Sequence, residues 1–189
     1  MGPFVQAQLS KTHYIPPLTS AAFGNANPED QYLYISTPAN GDIPYTIKPA
    51  GSPAASYITG MVSNTNPQRH DLGTGYTQLF VESASTSTVM NKGYIIEAED
   101  VIYVSVRMNA GSGAQAGALV SKGLSALGNT FRVGSYTNKN PQNNYLNFVS
   151  VMATEDNTTV EFDDLPIGIN IKNYSGTTPI SITLNKGES

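Results

Sequence analysis

The chain has 189 residues, a formal net charge of -4, 13% charged residues and no Cys. That length is enough for one domain with a substantial core. The small net negative charge argues against nucleic acid as a partner, and the missing Cys excludes disulfides, zinc–thiolate sites and a thiol nucleophile. The polar residues are mainly Ser, Thr, Asn, Gln and Gly, which suit strands and turns and predict a mostly β fold.

The first residues are typical of the end of a signal peptide, because Val5 and Ala7 occupy the small-residue positions that precede a cleavage site. The alternative is a cloning remnant followed by an ordinary tail. We therefore expect residues 1–7 to lie outside the fold, residues 8–30 to form an extended segment, and export to the cell surface or the extracellular space. No stretch of the sequence is apolar for long enough to span a bilayer.

Short β-branched or aromatic runs follow, separated by turn residues at intervals of roughly 8 to 14 residues. In the first run, Tyr32 and Tyr34 alternate with Leu33 and Ile35. The spacing predicts that residues 31–189 form a single antiparallel β-sandwich of jelly-roll type. The predicted strands are 31–37, 43–49, 56–63, 76–83, 93–100, 101–108, 131–137, 145–154, 158–164, 168–174 and 180–185.

Two polar stretches, residues 64–75 and 109–117, are predicted to be the longest loops. Loops on a rigid sandwich often carry recognition, so both are candidate binding segments. Residues 118–127 have the only helical spacing in the sequence, and Gly123 within them predicts at most one short helical turn.

Five carboxylates lie close together in the stretch MATEDNTTVEFDDLP, residues 152–166, and four of them, Glu155, Asp156, Asp163 and Asp164, fall at its predicted turns. Glu155, Asp156 and Asn157 are typical of a tight turn between two strands. Asp163 and Asp164 lie at the far end of the second strand, about 15 to 20 Å away by strand rise, which is too far for a shared ion. Paired catalytic carboxylates are not expected. A surface calcium site at residues 155–157 remains an alternative, although the EF-hand spacing is absent.

No enzyme motif emerges. His13 and His70 are the two imidazoles of the chain, and both are predicted to be exposed residues of irregular segments. Ser125 lies in GLSALG, which has Leu127 where the nucleophile elbow needs its second Gly. We expect a protein without catalytic activity.

Tyrosine is the most abundant resource for binding, with eleven Tyr and no Trp. Rings such as Tyr45 and Tyr57 could contribute to a stacking platform for sugars or to a protein-binding surface. The predicted ligand-binding residues are Tyr14, Arg69, His70, Tyr76 and Tyr136.

The second half of the sequence contains, in this order, Gly93 before a strand, IYV at 102–104, an L-x-x-L-G turn at 124–128 leading to Phe131 and a strand ending in SY at 135–136, and ATEDNTTV at 153–160. This order of motifs resembles the N-terminal domain of the IgG Fc-binding protein family. The segments KTHYIPPL at 11–18 and QYLYISTP at 31–38 also look like bacterial members of that family, which stand at the front of long surface proteins of gliding, Bacteroidota-type cells.

The resemblance spans nearly all of residues 11–189. It implies an exported adhesion-type module with no catalytic residues to carry over, binding an extracellular protein or glycan. Such domains continue beyond a stretch like residues 183–188, so we expect a fragment of a larger surface protein. A sheet edge left bare by the missing part would favour self-association. The alternatives are a lectin-like domain, a glycosidase with two carboxylates about 5 to 10 Å apart, and a structural spacer.

Overall fold

The computed structural model describes residues 8–20, 27–86, 89–113, 115–134, 147–165, 171–172 and 179–189. Within these ranges the chain is all-β, as predicted, and its helical residues lie in the short 3-10 turns Ala54–Ser56, Ser83–Ser85 and Gly123–Ala126. The strands are β1 Ser10–Ile15, β2 Leu18–Ser20, β3 Pro28–Ser36, β4 Ile43–Pro49, β5 Ile58–Val62, β6 Gln68–Gly73, β7 Phe80–Glu82, β8 Tyr94–Ala110, β9 Gln115–Val120, β10 Thr158–Phe162 and β11 Ile180–Leu184.

The 17-residue strand β8 organises the fold. Its first part pairs with β1 and β4, and β4 pairs with β5, which gives a first half-sheet β1-β8-β4-β5. Its second part pairs with β3 and β9, and β3 pairs with β6, which gives a second half-sheet β9-β8-β3-β6. All these pairs are antiparallel, and the half-sheets pack in a nearly closed, barrel-like arrangement.

The core lies between the two half-sheets. Leu33 and Ile35 on β3 and Val104 on β8 are completely buried, and Ile47 on β4 and Ile96 on β8 join them from the first half-sheet. Each such side chain contributes about 1.5 to 3 kcal/mol when it leaves water. Because side chains alternate along a strand, this core fixes the intervening residues of β3 and β8 on the outer surface of the second half-sheet.

Both predicted recognition loops contain strands. Residues 68–73 of the predicted loop 64–75 form β6, which pairs with β3. The predicted loop 109–117 is the β8–β9 hairpin, whose turn is residues 111–113. The carboxylate of Glu29 accepts the backbone N–H groups of Ser112 and Gly113, so this turn is anchored. Residues 118–120 also belong to β9, and the predicted helical turn is confined to Gly123–Ala126.

Other strand predictions also need correction. The predicted strands 93–100 and 101–108 are one continuous strand, Tyr94–Ala110. Of residues 76–83, Phe80–Glu82 form a strand, and it pairs in parallel with β2. The partner of β10 is β11, whereas residues 147–153 are irregular. Residues 131–134 are also irregular, and the rest of the predicted strand 131–137 and most of 168–174 lie outside the described residues.

The C-terminal residues are fastened to the start of β8. Ser189 and Met90 exchange two backbone hydrogen bonds, at 2.7 and 2.9 Å, and Ala153 donates to Glu188 at 3.0 Å. Gly93 permits the close approach of the residue before β8 to the end of β1, since a Cβ atom there would lie 2.3 Å from the Ile15 carbonyl oxygen. The described part of the chain contains no helix with the length and apolar character of a membrane span.

Candidate functional site: a tyrosine–arginine face

Four side chains form a continuous polar–aromatic surface on the outside of the second half-sheet. Tyr34 on β3 pairs with Arg69 on β6, and Tyr32 on β3 pairs with both Asp71 on β6 and Arg107 on β8. Directly paired residues project to the same side of a sheet. We call Tyr32, Tyr34, Arg69 and Arg107 the tyrosine–arginine face.

Each arginine of this face leans over the ring of the tyrosine that is two residues along β3 from the tyrosine with which it pairs. Arg69 Cζ is 4.9 Å from the centroid of the Tyr32 ring, and Arg107 Cζ is 5.9 Å from that of Tyr34. The two ring centroids are 6.3 Å apart at an interplanar angle of 62°. Each cation–π contact at an exposed position is worth about 0.5 to 1 kcal/mol and restricts the long arginine side chain. The face is therefore partly ordered before any ligand binds.

The guanidinium groups of the face have no carboxylate partner among the described residues. The ion pairs found there are Lys11–Asp100 at 4.0 Å and Lys48–Glu97 at 2.5 Å. Asp71 lies beside Arg69 on β6, but its Oδ1 accepts the backbone N–H of Gly73 at 2.8 Å. Both arginines are exposed, so their forked donors face solvent and can receive a carboxylate or another oxyanion.

Arg69 and His70 were both predicted to bind the ligand, but their side chains lie on opposite sides of β6. His70 points inward, where its Nε2 lies 2.7 Å from the Tyr45 hydroxyl. Burial lowers the pKa of His70 and raises that of Tyr45. The imidazole is therefore neutral, and the hydrogen bond that it shares with the Tyr45 hydroxyl links β6 to β4 inside the barrel.

The remaining predicted ligand-binding tyrosines do not join the face. Tyr14 is half-buried on β1, where it pairs with Ile95 in the first half-sheet. Tyr76 is exposed in the turn that follows β6. Tyr136 lies outside the described residues. The structure thus places Arg69, of the five predicted residues, on the tyrosine–arginine face.

His13 is buried, contrary to the prediction of an exposed imidazole. Its Nδ1 lies 2.9 Å from the Ser121 hydroxyl, and its Nε2 lies 3.0 Å from the Ile102 carbonyl oxygen. Burial lowers the pKa of His13. The neutral ring donates from Nε2 and accepts from Ser121, so His13 ties β1 and β8 to the segment after β9.

The acidic stretch 155–157 forms a turn, as predicted, although it precedes β10 without a strand on its other side. Asn157 has a positive φ of 56°, and Asp156 Oδ1 accepts the backbone N–H of Lys186 at 3.0 Å. Asp163 and Asp164 follow β10 at its opposite end. Within the described ranges there is no group of three or more His, Asp or Glu residues that could hold a metal ion. A calcium site at residues 155–157 stays a prediction.

Sequence reasoning missed Tyr32, Tyr34 and Arg107 as site residues. The alternation of Tyr32 and Tyr34 with Leu33 and Ile35 did contain the signal, because it places both tyrosines opposite the apolar face. The contribution of Arg107 depends on the pairing of β3 with β8, which is a tertiary relationship between residues more than 70 positions apart.

The described residues define an all-β domain whose second half-sheet carries a partly ordered surface of tyrosine and arginine side chains. The model of the family described as IgGFc binding protein matches residues 116–189, where the chain is similar to that family. The match suggests an extracellular binding domain. It supports the resemblance for this C-terminal part of the range 11–189. No curated protein and no solved structure matches the chain.

Proposed function

We propose that this chain is a non-enzymatic binding domain of a larger exported surface protein of adhesion type, and that it binds an extracellular protein through the tyrosine–arginine face. The observation that carries the proposal is the pair Arg69 and Arg107, each held over a tyrosine ring and each without an ion-pair partner among the described residues. Tyrosine and arginine are the residues most enriched at binding hot spots.

The location of the face changes the expected mode of binding. Residues 64–75 and 109–117 were expected to bind as loops, but Arg69 of the first range lies on β6, and together β3, β6 and β8 offer a rigid sheet surface. A rigid surface loses little conformational entropy on binding. The similarity of residues 116–189 to the IgGFc binding protein family supports a protein ligand and an extracellular location. The bacterial, gliding-type setting rests on the motifs at 11–18 and 31–38 alone.

The arginines also disfavour the lectin-like alternative. Sugar rings stack on open aromatic faces, but here a guanidinium lies over Tyr32 and another over Tyr34. A sugar could use the same side of these rings after displacing the arginines, and two cation–π contacts would then be lost. A protein carboxylate, in contrast, can bind the guanidinium groups where they are.

The test is a binding screen with the whole chain. Immobilised chain is exposed to a panel of extracellular proteins that includes the IgG Fc fragment named by the matching family, and to a glycan array. We expect at least one protein ligand whose binding is lost in the double variant R69A/R107A and kept in the control variant R132A, which changes an exposed arginine on the irregular segment 131–134.

Glycan binding that depends on Arg69 and Arg107, without a protein ligand, would assign the lectin-like alternative. Protein binding that is unchanged in the double variant would contradict the assignment of the face. No binding in either format would favour the structural spacer.

A further inference from the structure

The backbone positions of Arg69 and Arg107 lie diagonally opposite each other across β3. Arg69 and Arg107 lie on the strands that flank β3, and they pair with different tyrosines, two residues apart. With neighbouring strands about 4.8 Å apart and a rise of about 3.4 Å per residue, their Cα atoms are separated by about 12 Å. From these backbone positions each guanidinium leans over the tyrosine that pairs with the other arginine, so two cationic groups with forked donors lie over the neighbouring rings of β3.

The surface around the two guanidinium groups is flat. Ala118 on β9 pairs with Arg107 and has a short side chain, so it does not cover the guanidinium from that edge. Ser105 on β8 pairs with Tyr34 and is buried beneath its neighbours. No wall or pocket is therefore formed by these residues, and an elongated ligand can lie across the strands.

A protein segment in extended conformation matches this geometry. Its residues i and i+4 project to the same side and lie about 13 Å apart, close to the separation of the Arg69 and Arg107 Cα atoms. Carboxylates at those two positions can each accept two parallel N–H bonds from one guanidinium, the arrangement for which arginine is especially suited.

We propose that the tyrosine–arginine face binds an extended acidic protein segment with two carboxylates on one side, one for Arg69 and one for Arg107. This inference rests on the proposed function and adds the chemistry of the partner. The whole chain carries a net charge of -4, and Asp71 pairs with Tyr32 on the same side of the sheet. Attraction of an acidic partner therefore depends on the local positive charge of the two arginines exceeding the charge of Asp71, and it weakens with salt.

The experiment uses the full chain and two acetylated, amidated seven-residue peptides. Both contain Thr and Val, and they differ at positions two and six, which are Glu in one peptide and Gln in the other. Affinities are measured by NMR titration at about 20 mM and about 500 mM salt. Two exposed but well-aligned carboxylate–guanidinium pairs predict a preference for the Glu peptide on the order of tenfold at low salt, and a much smaller preference at high salt.

Two double variants distinguish the planar geometry of the guanidinium groups from their positive charge. The double variant R69Q/R107Q should bind both peptides equally, and R69K/R107K should keep only part of the preference because lysine lacks the planar fork. The control variant R132Q should behave like the unmodified chain. Equal binding of the two peptides by the unmodified chain would overturn the inference.

A sulfated oligosaccharide is titrated in parallel. If it binds through Arg69 and Arg107 while the chain does not prefer the Glu peptide to the Gln peptide, the inference of an acidic protein segment is wrong.

The proposed function and this further inference fail in different ways. A protein ligand from the screen that needs both arginines keeps the proposed function even when the peptides bind equally, whereas a ligand indifferent to both arginines removes it.

Discussion

The Tyr45 hydroxyl lies 2.7 Å from His70 Nε2 and joins β4 to β6 across the interior of the barrel. The rings meet edge to face with centroids 5.6 Å apart. His70 adjoins Arg69, whose side chain projects outward, so the contact also fixes the strand that carries one arginine of the binding face. Tyr45 is almost fully buried, and its hydroxyl therefore depends on this partner.

Replacing Tyr45 by Phe removes that hydrogen bond while keeping the aromatic ring. We expect the free energy of unfolding to fall by about 1 to 2 kcal/mol, because the partly buried His70 side chain loses its hydrogen-bond partner. Urea denaturation monitored by circular dichroism measures the change. The control variant Tyr57→Phe removes a hydroxyl that has no hydrogen-bond partner within the described ranges, and it should be nearly neutral. Equal effects of the two variants would contradict the role of the pair.

Stability should depend on pH below the ordinary histidine range. Burial lowers the pKa of both His13 and His70 from 6.5. Below about pH 6.5 the unfolded chain therefore binds protons that the folded chain resists, and stability is lost as the pH falls. Urea midpoints at pH 7.5 and 5.5 should show this decrease, and the variant His13→Gln should show a smaller one. A midpoint that is constant or higher at pH 5.5 would count against neutral, buried imidazoles.

Gly93 is predicted to be intolerant of any side chain. A Cβ atom there would lie 2.3 Å from the Ile15 carbonyl oxygen, and its φ of +97° is unfavourable for other residues. Gly93→Ala should destabilise the protein by roughly 3 kcal/mol or more, from overpacking and backbone strain together. Thermal unfolding provides the measurement. Gly41→Ala is the matched control, since nothing lies within 4 Å of a Cβ there, and it should leave the melting temperature almost unchanged.

The turn at residues 111–113 should owe its order to Glu29. Its residues Gly111, Ser112 and Gly113 all have positive φ, and the Glu29 carboxylate accepts two backbone N–H groups of the turn. Glu29→Gln should raise amide hydrogen exchange at Ser112 and Gly113 by roughly tenfold, because a neutral amide oxygen is a weaker acceptor. Glu99→Gln, at an exposed position, is the control. Unchanged exchange in Glu29→Gln would show that the turn is ordered without the carboxylate.

The sequence predicts the strongly alternating strands of this fold well. Residues 43–49 were predicted as a strand and form β4 with the same bounds, because Ile43, Tyr45 and Ile47 are buried in strict alternation. The 17-residue strand β8 was predicted as two strands, 93–100 and 101–108, with Glu99 and Asp100 at their boundary. In the structure they are exposed where β8 passes from one half-sheet to the other.

Other elements depend on tertiary contacts that no local pattern reveals. Strand β6 has the sequence QRHDLG, which is polar and charged, and it forms a strand because β3 offers a pairing edge. Charged residues on such an edge also oppose unwanted pairing with other chains. The binding face shows the same limit: Tyr32 and Tyr34 could be placed outward from the sequence, whereas their contacts with Arg69 and Arg107 require the strand order.

Hydroxyl-radical footprinting of tyrosines can locate the binding site on the tyrosine–arginine face, because tyrosines lie on several different surfaces of the chain. The oxidation rate of each tyrosine is compared with and without the extracellular protein that binds in the screen. We expect at least about threefold protection of Tyr32 and Tyr34 on complex formation, because an interface covers their rings, with Tyr14 and Tyr76 unchanged. Protection of Tyr14 or Tyr76 with Tyr32 and Tyr34 still fully reactive would contradict a binding site on the tyrosine–arginine face.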